Sequence, residues 1–424
     1  MRYLRCRTVV SAGLMALSLL VSQQALAIPF QSIDPRTLSM GGAGVASGTS
    51  TNASFVNPAL LVTAKERKDF SVIAPILAWR SMDPISVSDE LDRYQDSGFE
   101  NTFDSALDDF RAPGGSADKK IVSALGNAVV EIIRQLDRLS DKPIEGEEMI
   151  GIVVGVPSKT LGVSVMVSVW SVGGAVLTGV AADRETFNVF LAELQTGARS
   201  PDDDVFSIEV DPAEGRTLEA VMEGRGAVFT EVGVSLAREF NIGGHDVVIG
   251  VTPKYVTVKA FDYVQPLYQA SFGYDTDTND HSNVNVDVGL TRDYSNGWKT
   301  GFVVKNLIPQ SYRTVRNNEL KTLPQMRLGF SRRHRWGTLA LDIDLNESKA
   351  IGFDSKTQYL AGGAEFDLLD VAKVRVGYRH NIANSETAII TFGTAITLDD
   401  LHIEVGAGLN EDEGVFSAQL GYDF

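Results

Sequence analysis

The residues with the chemistry for catalysis or metal binding are few and scattered. The five histidines are His245, His281, His334, His380 and His402, and none lies within four residues of another. Helical metal pairs need that spacing, so none is present. His245 and His334 fall in predicted turns and read as solvated. His402 stands two residues before Glu404 on one strand face, which reads as polar lining. The single cysteine, Cys6, sits in a basic stretch ahead of an apolar run. No Gly-x-Ser-x-Gly elbow occurs. "DTDTND" (275–280) opens like a calcium loop, but Val286 stands at the twelfth position, where such a loop closes with glutamate. "SPDDDVFSIEVD" (200–211) reads as a solvated charge run. "GGAGVASG" has no strand leading into it and lacks both the dinucleotide spacing and the Gly-Lys-Ser/Thr ending of a phosphate loop. No catalytic residue, metal ligand or cofactor is assigned, and the chain is not read as an enzyme.

One charged set remains. Arg327, Lys373, Arg375 and Arg379, with Asp287, Asp342, Asp344 and Glu404, all fall on the polar face of segments whose other face is apolar. "DLHIEVGAGL" places Leu401, Ile403, Val405, Ala407 and Leu409 against His402, Glu404, Gly406 and Gly408. The same alternation runs through "AKVRVGYRH", "TLALDIDLN", "QMRLGF", "NVNVDVGL" and the terminal "VFSAQLGYDF". A period of two marks strands with two unlike faces.

The front end says where such strands would work. "MRYLRCRTVVSAGLMALSLLVSQQALA" has Arg2, Arg5 and Arg7, then an apolar run from Val9 to Val21, then Ala25-Leu26-Ala27. This is the plan of a secretory signal peptide, with the mature chain starting near Ile28. The run is shorter than the about 20 residues of a membrane-spanning helix. Losing the signal removes the only cysteine, and with it disulfides and thiol chemistry. It also takes the formal charge from −17 to −20. An acidic chain without clustered Lys and Arg is a poor match for nucleic acid.

Collecting every alternating segment gives strands at 68–80, 149–156, 161–170, 226–239, 246–261, 283–294, 298–306, 324–333, 337–346, 357–366, 372–380, 386–397, 399–409 and 414–424. Their connections alternate, short after every even strand and mostly long after the odd ones. An even strand count with that alternation is the plan of an outer-membrane β-barrel. The expected fold is therefore all-β and transmembrane, with about 14 antiparallel strands, an N-terminal plug and helical extracellular loops. A periplasmic sandwich also alternates, but the signal peptide, the loop alternation and the charged inward face weigh against it. The expected organisation is a signal peptide at 1–27, a plug at 28–66 and a barrel at 67–424, with helical insertions at 81–148 and 171–225. Helices are expected over 89–110, over 119–139 and around "ADRETFNVFLAELQTG", packing on one another as a cap or offering an apolar landing site. Gly377 and Gly393, inside strands, are candidate kinks. A barrel must pair its last strand with its first, which accounts for a final strand that runs to the last residue, and Tyr422 and Phe424 resemble the C-terminal assembly signal of outer-membrane barrels.

The segment ahead of the first strand carries a family resemblance. "LSMGGAGVASGTSTNASFVNPALL", with its Gly/Ala-rich stretch and its Asn57-Pro58-Ala59, resembles the N-terminal segment of the FadL family of outer-membrane transporters for long-chain fatty acids and aromatic hydrocarbons. The resemblance implies a fourteen-strand barrel whose N-terminal segment forms a hatch, with Gly41, Gly42, Gly44, Asn57, Pro58 and Ala59 in it. The C-terminal stretch from Val374 is similar to a related barrel family described as plasmid conjugal transfer protein TraF. The thiol chemistry of a periplasmic protein sharing that name has no cysteine here to carry it. The expected function is import of hydrophobic small molecules such as long-chain fatty acids, in contact with outer-membrane lipid. The alternative is a non-transporting outer-membrane component, partnered by conjugation or secretion proteins.

Overall fold

A computed structural model describes residues 34–62, 70–83, 98–158, 160–200, 219–266, 278–349, 351–353, 356–368, 371–383 and 388–424. The expected signal peptide and the start of the 89–110 helix lie outside these residues, as do most of the two acidic runs.

The wall is one closed antiparallel barrel of fourteen strands. In chain order they are β1 (Ser71–Met82), β2 (Ile144–Val156), β3 (Gly162–Thr178), β4 (Val221–Ile242), β5 (His245–Pro266), β6 (Thr278–Asp293) and β7 (Trp298–Lys305), then β10 (Gln325–His334), β11 (Gly337–Asp344), β14 (Tyr359–Leu368), β15 (Ala372–Asn381), β16 (Ala388–Leu398), β17 (Leu401–Leu409) and β18 (Glu413–Asp423). Two small hairpins interrupt the series: β8 (Gln310–Arg313) with β9 (Glu319–Thr322), and β12 (Ser348–Lys349) with β13 (Lys356–Thr357). Each strand predicted from the sequence corresponds to one of the fourteen wall strands. Strands of two to four residues are too short to show a period, so neither hairpin was legible.

Alternation places every second side chain outside. On β2, Ile150, Ile152 and Val154 are 40–50% exposed, while Met149, Gly151 and Val153, which alternate with them, are buried. Val165, Val167 and Val169 on β3 and Val232, Val234 and Leu236 on β4 repeat the pattern. So continuous an apolar outer surface calls for lipid as its solvent. Among the described residues no helix is long and apolar enough to cross a membrane. The strands make the crossing.

The ring closes where β1 pairs with β18, Ser71 opposite Asp423. Phe424 N donates to Phe70 O at 2.9 Å, and the two rings stack with centroids 4.2 Å apart. The last residue is therefore part of the seam.

β3, β4 and β5 are longer than the sequence showed. Reading by apolar alternation ends β3 near 170 and starts β4 near 226, because glycines and charges interrupt the pattern. The backbone pairing ignores this, with Gly173 opposite Gly226 and Gly174 opposite Arg225. The 22 residues of β4 and of β5 reach roughly 50 Å at a rise of about 3.3 Å and a tilt of about 45°. That exceeds the hydrocarbon layer of about 30 Å, so these strands project beyond it at the end bearing the long loops. Three helices pack there: α3 (Phe99–Arg111), α4 (Lys119–Leu139) and α5 (Val180–Thr196). Their apolar stripes, with Phe110, Leu125, Leu136 and Phe190 fully buried, face one another and the strand ends at Ile144, Leu177 and Ala220. They form a self-contained cap.

Candidate functional site

Residues 34–62 fill the barrel interior, and all but Gly48, Thr49 and Thr51 are buried. Asp34 caps the short helix α1 (Pro35–Ser39), accepting from Thr37 N at 2.9 Å, with Pro35 at the first helical position. Proline suits that position because its missing N–H has no helical partner there. Gly41 and Gly42 then turn the chain at φ of +71° and +99°. Side chains with a Cβ rarely adopt such angles. The motif Asn57-Pro58-Ala59 works by the same logic. Asn57 accepts from Ala59 N at 3.1 Å, capping a 3-10 turn over Pro58–Leu61. Its amide also donates to Val45 O at 2.9 Å, tying the two halves of the plug together. A second short helix, α2 (Ala53–Val56), lies between them.

The wall receives this plug on glycine. In-register pairs Gly250–Gly289, Gly301–Gly329, Gly363–Gly377 and Gly393–Gly406 sit on adjacent strands. Each lies four to six residues in from the short-turn end of its strand. A Cβ at Gly377 would stand 2.0 Å from Gly41 N, and one at Gly250 would stand 2.3 Å from Ala59 N. Gly377 and Gly393, candidate kinks in the sequence, are instead close-approach points for the plug, for the backbone at Met40 and Gly41 in the first case and for the Ser39 side chain in the second.

Charge and hydrogen bonds hold what the glycines admit. Arg36 of the plug makes a bidentate contact with Glu365 on β14, at 2.9 and 3.1 Å. Arg375 shares that carboxylate at 2.8 Å and reaches Glu404 at 2.5 Å. Asp342 Oδ2 accepts from Gly44 N at 2.8 Å and Val45 N at 2.9 Å. Arg327 pairs with Asp344 and donates to Gly42 O at 3.1 Å. Lys305 donates to Phe55 O at 2.9 Å.

The predicted lumenal set thus divides. Arg327, Arg375, Asp342, Asp344 and Glu404 converge on the plug. Asp287 pairs with Lys254 at 3.3 Å, beside Glu231. Arg379 pairs with Glu413, which also holds Arg80, near the long-loop rim. Lys373 is the most open of the set, 3.8 Å from Glu365. Sequence reading missed Arg36, Lys254, Glu365 and Glu413. Glu365 shared the polar face of its strand with Gly363, and Arg36 lay in a segment with no period to place it. His402 bonds to Thr397 at 3.1 Å and Asp423 at 2.7 Å. Among the described residues no histidine or carboxylate cluster could hold a metal ion. Tyr422 and Phe424 project outward from the seam strand.

The lumen is not uniformly polar. From β1 to β5 its inner face carries an apolar stretch: Ile76, Val153, Met166, Trp170, Phe229 and Val258 form one buried cluster with Phe55 and Val56 of the plug. Trp170 and Phe229 stack with centroids 3.9 Å apart. Tyr312 and Leu320, from the β8–β9 hairpin, complete the cluster from the loop side. Asp262 on β5 fixes that hairpin's turn, accepting from Thr314 Oγ1 at 2.7 Å and Asn318 Nδ2 at 2.6 Å. Below the plug, a cavity of about 320 Å³ opens among Arg36, Thr49 and Thr51 of the plug and Lys373, His402 and Glu404 of the wall. Ile73 of β1 borders both the apolar cluster and this cavity.

Comparison with known proteins gives this arrangement relatives. No curated protein matches the sequence. Among solved structures, a mutant of the TodX monoaromatic hydrocarbon channel matches with a TM-score of 0.53 at 10% identity, over 92% of this chain and 98% of that one. The toluene transporter TodX of P. putida matches with a TM-score of 0.47 at 9% identity, over 93% and 99%. The CymD monoaromatic hydrocarbon channel matches with a TM-score of 0.36 at 10% identity, over 94% and 99%. The first of these likenesses establishes a shared fold. The family described as "F plasmid transfer operon, TraF, protein" matches residues 54–344, which is more than half of the sequence. The chain is therefore a member of that TraF family, built on a plugged fourteen-strand barrel of the outer-membrane type.

Proposed function

We propose that this protein is an outer-membrane channel that imports hydrophobic small molecules, long-chain fatty acids among them. The observation that carries the reading is the apolar cluster across the inner faces of β1 to β5, on the loop side of the plug. A channel for polar solutes has no use for Trp170, Phe229 and Val258 in its lumen, whereas an apolar solute gains about 0.8 kcal/mol per buried methylene there. The plug from Gly41 to Ala59 is the hatch. Ligand held against Phe55 and Val56 passes Ile73 into the cavity below when the plug shifts. Monoaromatic hydrocarbons, for which the structurally similar TodX protein is a channel, are the second ligand class to test. Phe229→Ala removes the stacking partner of Trp170 and is expected to lower uptake of labelled oleate while the barrel still assembles. Uptake equal to wild type would count against the reading.

A second reading, an outer-membrane component of a conjugal transfer assembly, draws on the family's description. Conjugation frequency with and without the gene tests it.

A further inference from the structure

The outer wall carries a cationic feature at odds with a chain of net charge −17. At the short-turn rim, which in outer-membrane barrels faces the periplasm, three arginines sit on the lipid-facing side of alternate strands, β4, β6 and β10. Arg238 of β4 lies over the Phe240 ring at 5.9 Å, Arg292 of β6 over Tyr294 at 4.6 Å, and Arg332 of β10 over Trp298 at 5.4 Å. Arg292 also donates to His245 Nδ1 at 2.9 Å. Among the described residues none of the three guanidiniums is paired with a carboxylate. Register places them together: Arg292 is opposite Thr300 of β7, and Arg332 is opposite Trp298 of the same strand. Two strand spacings across and two residues along put their backbones roughly 12 Å apart, a gap that two arginine side chains can close on one phosphate.

We propose that this rim binds the headgroup of an anionic phospholipid in the periplasmic leaflet, with Arg292 and Arg332 on the phosphate and Arg238 at its edge. The aromatic rings hold the guanidiniums at interface depth, where aromatic side chains and snorkelling cations settle in membranes. Arginine is the residue suited to the contact, because its fork matches phosphate oxygens and remains charged. The proposal rests on the outer-membrane reading, since it needs this rim at the inner headgroup layer.

The test is lipid binding by the full chain in neutral detergent, read by native mass spectrometry with phosphatidylglycerol and phosphatidylethanolamine as competing probes. Wild type is expected to retain phosphatidylglycerol preferentially. The double variant Arg292→Gln/Arg332→Gln is expected to lose about 30-fold in that preference, and Arg292→Lys/Arg332→Lys to keep part of it. Heat-modifiable migration on gels shows that each variant is folded. Unchanged preference in the folded glutamine variant overturns the inference, as does displacement of the lipid by millimolar inorganic phosphate. Absence of the wild-type chain from the outer-membrane fraction would overturn the channel reading as well, so the two failures are distinguishable.

Discussion

Gly377→Ala probes how the plug is seated. A Cβ at this position would stand 2.0 Å from Gly41 N and 2.3 Å from Met40 C. Carbon contacts settle near 3.5 Å, so the plug would have to retreat by about 1.5 Å. Its neighbours there are backbone atoms, which cannot rotate aside as a side chain can. Overpacking of this kind costs about 1–3 kcal/mol. The retreat also strains the bond from Gly41 N to Thr391, 3.0 Å long in the native seat. An internal control lies on the neighbouring strand, one residue from the partner Gly363: at Gly362 an added Cβ meets nothing nearer than Leu341 Cδ1 at 3.6 Å. The assay is paired, with urea unfolding in detergent micelles for stability and ion conductance in planar bilayers for plug seating. Gly377→Ala is expected to unfold earlier and to conduct more, while Gly362→Ala stays within about 1 kcal/mol of wild type. If both variants unfold alike and conduct alike, the plug does not rest on the wall as described.

Three further perturbations address the same architecture. Asp342→Ala leaves Gly44 N and Val45 N without their acceptor, which costs about 1–3 kcal/mol for each buried donor; raised conductance with an intact barrel is the expected result. Glu365→Ala strands both Arg36 and Arg375 in a buried site, and breaking such a network costs about 3–5 kcal/mol. It is therefore expected to destabilise to a degree comparable with Asp342→Ala in the same urea series, where two lost donors sum to about 2–6 kcal/mol. Deleting Phe424 removes the stack on Phe70 and the last seam bond; slower appearance of the heat-modifiable form in pulse-chase labelling is expected if this residue is part of the assembly signal.

How much of this could be read from the sequence follows from what a period can carry. Wall strands such as β15 and β17 announce themselves, because Val374, Val376 and Tyr378 or Ile403 and Val405 must face lipid while the residues between them face inward. The extension of β3 through Gly173 and Gly174 was hidden, because glycine contributes nothing to an apolar pattern yet pairs as well as any residue. The charged lining could be assigned to the lumen but not matched into pairs, since a strand face fixes direction and leaves partners open. Arg375 and Arg327 each meet a carboxylate directly opposite across a hairpin, Glu365 and Asp344, but Arg375 also reaches Glu404 two strands on and Arg327 also reaches the plug. The apolar compartment was missed for a related reason. On β3, Met166, Trp170 and Val172 point inward, and where both faces of a strand are apolar the alternation that marks the wall vanishes.

The most direct measurement is saturable uptake of radiolabelled oleate and toluene by cells carrying the gene, lacking it, or carrying Phe229→Ala. Deletion is expected to abolish saturable uptake of at least one of the two. The wild-type gene is expected to restore that uptake, and Phe229→Ala to restore it only in part. Identical uptake in all three strains would contradict import through this barrel.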